Sequence, residues 1–406
     1  MANLRVNRNF SRWRCVVDTR SGKGKIKTVN ANAIAVARKG PFSEDAVKDA
    51  AGEIRARLGR VSQAAFAFVS PDYEPHLDDF CEILRVDGHT LDVLGSVTVG
   101  RIAGGEENEG GSGFSVLAIS ADGASFPVFS FQSQPPDSPP DNADAWIVFA
   151  DASAFQVENW LAEWSSGKAG RPVAGALSCS TPAGEFGPVF LNGRKASCVG
   201  FGVRPPLRLL TLVSQGCRPI GEPLTVTRAQ DNVVFALGSR PAYEALESAF
   251  ETLSDNEKQS ARGNLFAGLA GTEYVDDFQS GDFLVRTILG ADPNSGAVVI
   301  GGIPRVGQTL QYHYRNAAAA DAQLQATFKN VVREWGHPVA SLAFPCLGRG
   351  RGLFGESGHD ARAIQAALGP HPTAGMFANG EIAPVGEKSS IHSYSLALAL
   401  LMPSTT

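Results

Sequence analysis

The sequence has no long hydrophobic run. Its longest uncharged apolar stretch, Leu396 to Met402, has seven residues, against the ~18 needed to cross a bilayer as a helix, so no membrane segment is expected. Six cysteines, Cys15, Cys81, Cys179, Cys198, Cys217 and Cys346, are scattered without a CxxC pair, which excludes a zinc knuckle and a thioredoxin-type motif. No metal site and no cofactor is expected. The first thirty residues contain no apolar stretch of secretory-signal type. Reduced thiols in an intracellular, cytoplasmic protein follow as the expectation.

What is present fits an ordinary globular chain. Hydrophobic residues make up 43% and charged residues 19% of 406 residues, a length that suggests two or three domains. Charge is divided unevenly. Residues 1–30 hold eight Lys/Arg against Asp18 alone, a balance of +7, and the remainder holds 28 basic and 40 acidic residues, a balance of −12. An acidic body repels a polyanion, so no specific nucleic-acid partner is expected. The segment 1–34 reads as a basic arm, either disordered or an organelle transit peptide, being Arg-rich, acid-poor and furnished with Ser11 and Ser21.

Periodicity predicts a recurring element order. A helix over 43–58 carries Val47, Ala50, Ala51, Ile54 and Leu58 at helical spacing, with Ser43 as cap and Gly59 at its end. A strand over 64–69, a helix with Leu77, Phe80, Cys81 and Leu84 on one face, and strands over 91–102 and 114–119 follow. The polar segment 104–113 reads as a solvated loop, and the Pro-rich 133–142 as a loop between units. The order returns as strand 146–150, a helix with Val157, Leu161 and Trp164, strand 173–178 and apolar segments 189–191 and 196–203. It returns again as strand 340–344, helix 360–368 and strands 373–378 and 391–401. The second strand of each unit carries a glycine, in LGSVTVGRI from Leu94, AGALSCSTPAGEF from Ala174 and AGMFANGEI from Ala374. A recurring β-α-β-β unit is therefore expected, with glycine admitting a bend or a close approach.

Candidate site residues cluster toward the C-terminus. In GRGRG, 348–352, glycines expose backbone N–H groups while Arg349 and Arg351 can fork onto a carboxylate or phosphate. They can equally pair with Glu356 or Glu381 and tie strands together. Cys346 stands just before this loop, where arginines and a helix start would lower its pKa; a small apolar filler is the alternative. Asn379 and Glu381 flank Gly380 and suit the two ends of an amino-acid-like ligand, or a turn. Glu185 and Arg101 hold the corresponding places in the other two units, and stacked units would bring Arg101 opposite Glu381. His313, between Tyr312 and Tyr314, faces solvent or a pocket wall if the tyrosines face the core, and His392 reads as a rim residue. Cys217-Arg218-Pro219 reads as a loop.

Four segments resemble the FIST family, in order. SQGCRPIGEPLTVTRAQDNVVFALGSRPAYEAL from Ser214 is similar to the junction of its N- and C-terminal domains. GQTLQYHYRN from Gly307 matches a segment in which Arg315 is kept, and Asn316 replaces the usual Asp. PCLGRGRGLFGE from Pro345 and AGMFANGEIAPVGEKSSIHSYSLAL from Ala374 resemble the closing motifs. Departures are Ala383 for glycine, the run Gly386-Glu387-Lys388-Ser389 before His392, and the inserts at 104–113 and 133–142. The resemblance covers about 35–402 and implies an α+β fold of packed mixed or antiparallel sheets with flanking helices, with a FIST N-terminal domain at 35–240 and a C-terminal domain at 241–402. It implies a sensory module for signal transduction that binds a small ligand, an amino acid or related carboxylate metabolite, and acts on a separate signalling partner; the candidate ligand-binding residues are Cys346, Arg349, Arg351, Asn379, Glu381, Arg315, His392 and Arg101. The alternatives are an adaptor of the F-box, ubiquitin-ligase type and a cysteine-dependent enzyme using Cys346.

Overall fold

A computed structural model describes residues 31–404 apart from 122, 134, 137–139, 141, 166–169, 182–183, 274–277, 279 and 387. The basic arm lies outside the described residues up to Asn30. Ala31–Ile34, placed in that arm from sequence, belong to the first strand, Ala31–Lys39.

Three six-stranded sheets surround one core. Sheet I runs Ala31–Lys39, Gly113–Ala121, Ser62–Val69, Thr90–Val97, Val189–Leu191 and Arg194–Ala196. Sheet II runs Lys388–His392, Gly380–Val385, Val173–Leu177, Ala145–Ala150, Cys198–Val203 and Val128–Phe131. Sheet III runs Leu207–Gln215, Ser395–Pro403, Ala340–Pro345, Thr373–Met376, Arg101–Ala103 and Glu106–Asn108. Sheets II and III thus take strands from both ends of the chain, and the two halves interleave.

Each sheet holds one parallel pair that brackets a helix: Ser62–Val69 with Thr90–Val97, Ala145–Ala150 with Val173–Leu177, and Ala340–Pro345 with Thr373–Met376. The first strand of each pair reads as a continuous apolar run because both its faces are covered. Inside, Phe68, Phe149 and Phe344 from those three strands meet with centroids 5.4, 5.8 and 6.5 Å apart, all edge to face. Outside, Glu44–Leu58 and Leu77–Val86 cover sheet I, Val157–Trp164 covers sheet II, and Ala317–Phe328 with His359–Leu368 covers sheet III. Ser43 caps the first helix and Gly59 closes it at φ 64°, as the sequence pattern predicts.

The recurring glycine of the second parallel strand has one physical cause in all three sheets. Gly95, Gly175 and Gly375 pair with Ala67, Val148 and Ala343, and an added Cβ would stand 1.7, 1.8 and 1.9 Å from the partner's carbonyl oxygen. The close approach is to backbone, not to a ligand.

Residues 217–315 make a separate closed barrel. Cys217–Gln230, Thr309–Arg315, Leu265–Ala270, Phe283–Asp292, Ala297–Ile300 and Val233–Leu237 pair in that order, and Cys217–Gln230 pairs back with Val233–Leu237. Its core holds Ile220, Leu246, Leu269, Tyr312 and Tyr314. Cys217-Arg218-Pro219 is therefore strand rather than loop.

Two long strands expected from sequence are broken. Leu91–Ile102 divides into Thr90–Val97 in sheet I and Arg101–Ala103 in sheet III, because the chain crosses from one sheet to the other at Thr98–Gly100. Ile391–Leu401 divides at Ser393-Tyr394, where Tyr394 takes φ 61° and turns the chain from sheet II into sheet III. The segment 104–113 is not simply a solvated loop: Glu106–Asn108 is a strand of sheet III paired with Arg101–Ala103. Among the described residues no helix is long and apolar enough to cross a membrane.

Candidate functional site

The loop after strand Ala340–Pro345 is the centre of a buried polar cluster. Leaving sheet III, Cys346 donates its N–H to Ser395 O at 2.9 Å, and Leu347 donates to Ala378 O at 2.9 Å. The chain then turns inward, so Arg349 is buried. Its guanidinium forks onto Asp360, with Nε donating to Oδ2 at 2.6 Å and Nη2 to Oδ1 at 2.9 Å. Asp360 stands in the first turn of helix His359–Leu368 and is also fully buried. Burial alone would raise its pKa; the charge and hydrogen bonds of Arg349 hold the carboxyl at about 2. Arg349 Nη1 has no hydrogen-bond partner among the described residues.

Glu381 enters from sheet II. It is fully buried, and its Oε2 accepts from Ser395 N at 3.2 Å and Ser395 Oγ at 2.7 Å, while Oε1 has no partner among the described residues. Burial pushes this carboxyl up to about 8, against the lowering influence of the Ser395 bonds and the Arg349 charge. Burial and the neighbouring Glu381 push the Cys346 thiol up to about 12. The sequence expectation of an acidified thiol is overturned: desolvation outweighs the nearby arginines. Cys217, which faces the same cluster, is likewise pushed up to about 12 by burial.

Arg315 supplies the open side. It ends strand Thr309–Arg315, lies against Gly348, where its Nη atoms would be 3.3 Å from an added Cβ, and sits 5.8 Å from the Tyr394 ring. Its Nη2 is buried without a hydrogen-bond partner among the described residues. Arg315 lines a cavity of ≈ 360 Å³ together with Ser260, Asn264, Asn316, Ala317 and Leu353. Asn316 caps helix Ala317–Phe328 by accepting from Ala319 N at 2.8 Å, a role its usual substitute Asp would also fill.

Part of the anion site expected at GRGRG is filled by the chain itself. Both oxygens of Glu109 accept from Arg351 N, at 3.0 and 2.9 Å, and a Cβ on Gly350 would lie 2.6 Å from that carboxylate. Glu107 accepts from Gly358 N and Ala361 N, both at 2.9 Å, at the start of the helix that carries Asp360. The polar insert is thus a strap whose acids cap the loops of the site. The Arg351 side chain is exposed, and Glu356 pairs with Arg362 rather than with either loop arginine.

The remaining residues singled out from sequence lie apart from this cluster or play other parts. Asn379 is exposed while Glu381 is buried, so the two do not form one clamp. Arg101 is buried, but its guanidinium donates to Gly111 O at 2.7 Å and Thr98 O at 3.4 Å and does not stand opposite Glu381. Glu185 is exposed on its turn. The three post-strand turns do meet, with Thr98 Oγ1 3.4 Å from both Cys179 Sγ and Phe377 O, but as packed core rather than an open cleft. His392 is not a rim residue: it is buried beside Glu381 in register, Nε2 lies 3.3 Å from Ala383 O, and burial pushes it down to about 4. His313 is fully buried against Phe283, not solvent-facing: with Tyr312 and Tyr314 in the barrel core it lies on the barrel's outer face, and that face is covered; burial pushes it down to about 4. Its Nδ1 lies 3.0 Å from Gln311 O.

Sequence reasoning missed Asp360 as the partner of Arg349, and missed Ser395 and Cys217. Asp360 follows Arg349 by eleven residues, beyond any local periodicity, and only the buried fork reveals the pair. Among the described residues no group of three or more His, Cys, Asp or Glu could hold a metal.

The raised Glu381 pKa makes a signed prediction. From the ordinary carboxyl value of 4.5 up to about 8, the unfolded chain releases a proton that the native state keeps. Stability therefore falls as pH rises through that window and levels off above it. Glu381→Gln should remove the fall and be more stable than wild type at pH 9 by about 3–5 kcal/mol, with little difference at pH 5. Urea unfolding at pH 5, 7 and 9 checks this; parallel curves for the two proteins would contradict it.

Comparison with known proteins gives the cluster its setting. Residues 63–240 match the FIST N domain and 242–384 match the FIST C domain. An uncharacterized protein of Mycobacterium tuberculosis is 42% identical over 203 residues, 50% of this chain and 53% of its own. An uncharacterized protein of Mycobacterium bovis is 40% identical over 203 residues, with the same shares. The chain spans about half the length of these curated relatives. With the two domain matches adjacent and in order over most of its length, the chain belongs to the FIST family of sensory domains.

Proposed function

We propose that this chain is a sensory module that binds a small anionic metabolite, an amino acid or related carboxylate, and passes its bound state to a separate signalling protein. The ligand's carboxylate sits on Arg315 in the ≈ 360 Å³ cavity. The observation that carries this reading is the set of buried side-chain atoms without hydrogen-bond partners among the described residues: Arg315 Nη2 and Arg349 Nη1 as donors, and Gln215 Oε1 and Glu381 Oε1 as acceptors. Buried polar groups are ordinarily satisfied, and leaving one unpaired costs about 1–3 kcal/mol. Two guanidinium donors around one glycine loop suit a carboxylate. FIST domains are sensory domains of signal transduction, which agrees with this reading.

A thermal-shift panel of amino acids, dicarboxylates and nucleotides tests it. At least one compound should stabilise the wild-type chain, by about 2.7 kcal/mol at a hundredfold excess over Kd, and Arg315→Gln should abolish the shift. No shift with any compound, or an equal shift in the variant, would count against the proposal.

A further inference from the structure

A second cavity lies far from this site, at one rim of sheet I. Val61, Val86 and Leu91, 46%, 62% and 55% exposed, are three of the seven large apolar side chains exposed among the described residues. Val86 ends helix Leu77–Val86, Leu91 follows the first residue of strand Thr90–Val97, and Val61 precedes Ser62, which pairs with Thr90. Between helix and strand runs a groove of ≈ 560 Å³ lined by Asp78, Glu82, Arg85, Val86, Leu91 and Asn192, with Thr90. Arg85 is engaged, Nε donating to Leu91 O at 3.1 Å. Thr90 Oγ1 is buried there without a hydrogen-bond partner among the described residues. Exposed apolar side chains gathered beside acids mark an interaction surface.

The strand registers identify what can reach it. Ala31 lies opposite Ala121, Ala121 N donates to Gln63 Oε1, and Ser62 lies opposite Thr90. Ala31 and Thr90 therefore stand on the same rim, three interstrand steps or about 14 Å apart. Thirty residues precede Ala31, and at up to ~3.3 Å each the last five or so span that distance. The segment brings the complementary chemistry. It carries +7 overall and sets Leu4, Val6, Phe10, Trp13, Val16 and Val17 among its arginines.

We propose that this groove is the docking surface for residues 1–30 of the same chain, with Phe10 and Trp13 against Val86 and Leu91 and the arginines on Asp78 and Glu82. Arg60 and Arg194 border the rim, so apolar contact leads and charge assists. The tether holds the segment at a millimolar effective concentration, so individually weak contacts suffice.

The test uses the full chain. Zero-length carbodiimide cross-linking should join Lys23, Lys25 or Lys27 to Asp78 or Glu82 within one molecule. Tryptic cleavage after Arg12 and Arg14 should be about fivefold faster in Val86→Asp/Leu91→Asp than in wild type. Both replaced side chains are exposed, so the variant leaves the core intact, and the wild-type cross-links stand independently of it. Equal cleavage rates, cross-links from the segment only to other carboxylates, or cross-links only between different molecules would overturn the proposal.

Discussion

Asp360→Ala is expected to lower the stability of the chain by about 3–5 kcal/mol, because it strands a buried Arg349 charge whose guanidinium is paired with Asp360 and with no other carboxylate among the described residues. Burial by itself opposes the charge on Arg349, and Asp360 is what holds it on. Arg349→Met alone should be similarly harmful, leaving Asp360 charged and buried. The double variant Arg349→Met/Asp360→Leu should recover most of the loss, since removing both charges also removes both desolvation costs. Chemical unfolding of the four proteins forms a double-mutant cycle; additive losses would show that the fork contributes nothing. The pH dependence follows with a definite sign. With Asp360 held at about 2 against an ordinary 3.8, the pair's contribution is present above pH 3.8 and disappears as pH falls toward 2. His359, raised by its hydrogen bond to Asp360, adds stability that is present at low pH and is lost as pH rises through its native pKa. The two act at opposite ends of the range and are separable in one titration.

Gly375→Ala should be at least as damaging, and for a different reason. The new methyl would stand 1.9 Å from the Ala343 carbonyl oxygen inside sheet III, so the parallel pair must separate. Loss of about 3–5 kcal/mol, or failure to fold, is the expected result. Gly95→Ala in sheet I and Gly175→Ala in sheet II should behave alike, with clashes at 1.7 and 1.8 Å. Gly352→Ala supplies the control: it has open space within 4 Å and lies in the short helix Arg351–Phe354, so it should be neutral or stabilising by up to about 1 kcal/mol. Tolerance of Gly375→Ala with unchanged unfolding would refute the close-approach account.

These two predictions mark where the sequence was informative and where it was not. The helix at Glu44–Leu58 and the apolar first strands of the three parallel pairs were legible because their causes are local: apolar spacing, a capping serine, a terminal glycine. The recurring glycine was legible as a pattern, and its position in the second strand was correct. Its cause, a carbonyl on the neighbouring strand, belongs to pairing between distant segments. Breaks in long strands were invisible for the same reason. Nothing in Leu91–Ile102 announces that the chain changes sheets at Thr98–Gly100, since both halves are apolar and only their neighbours differ.

The candidate site divides in the same way. Residue types around PCLGRGRGLFGE and GEI singled out side chains that the fold gathers, since Arg315, Cys346, Arg349 and Glu381 come together in one buried cluster. The sequence by itself determined which segments carry charge and glycine near one another, and the family to which the chain belongs. Only the tertiary structure decided that Arg349 is spent on Asp360, that Glu109 takes the Arg351 N–H of the loop, and that Cys346 is a neutral thiol. The physical reason is burial: ionisation and pairing depend on the solvent a side chain loses and on the partners that distant strands bring to it, and neither is encoded in local spacing.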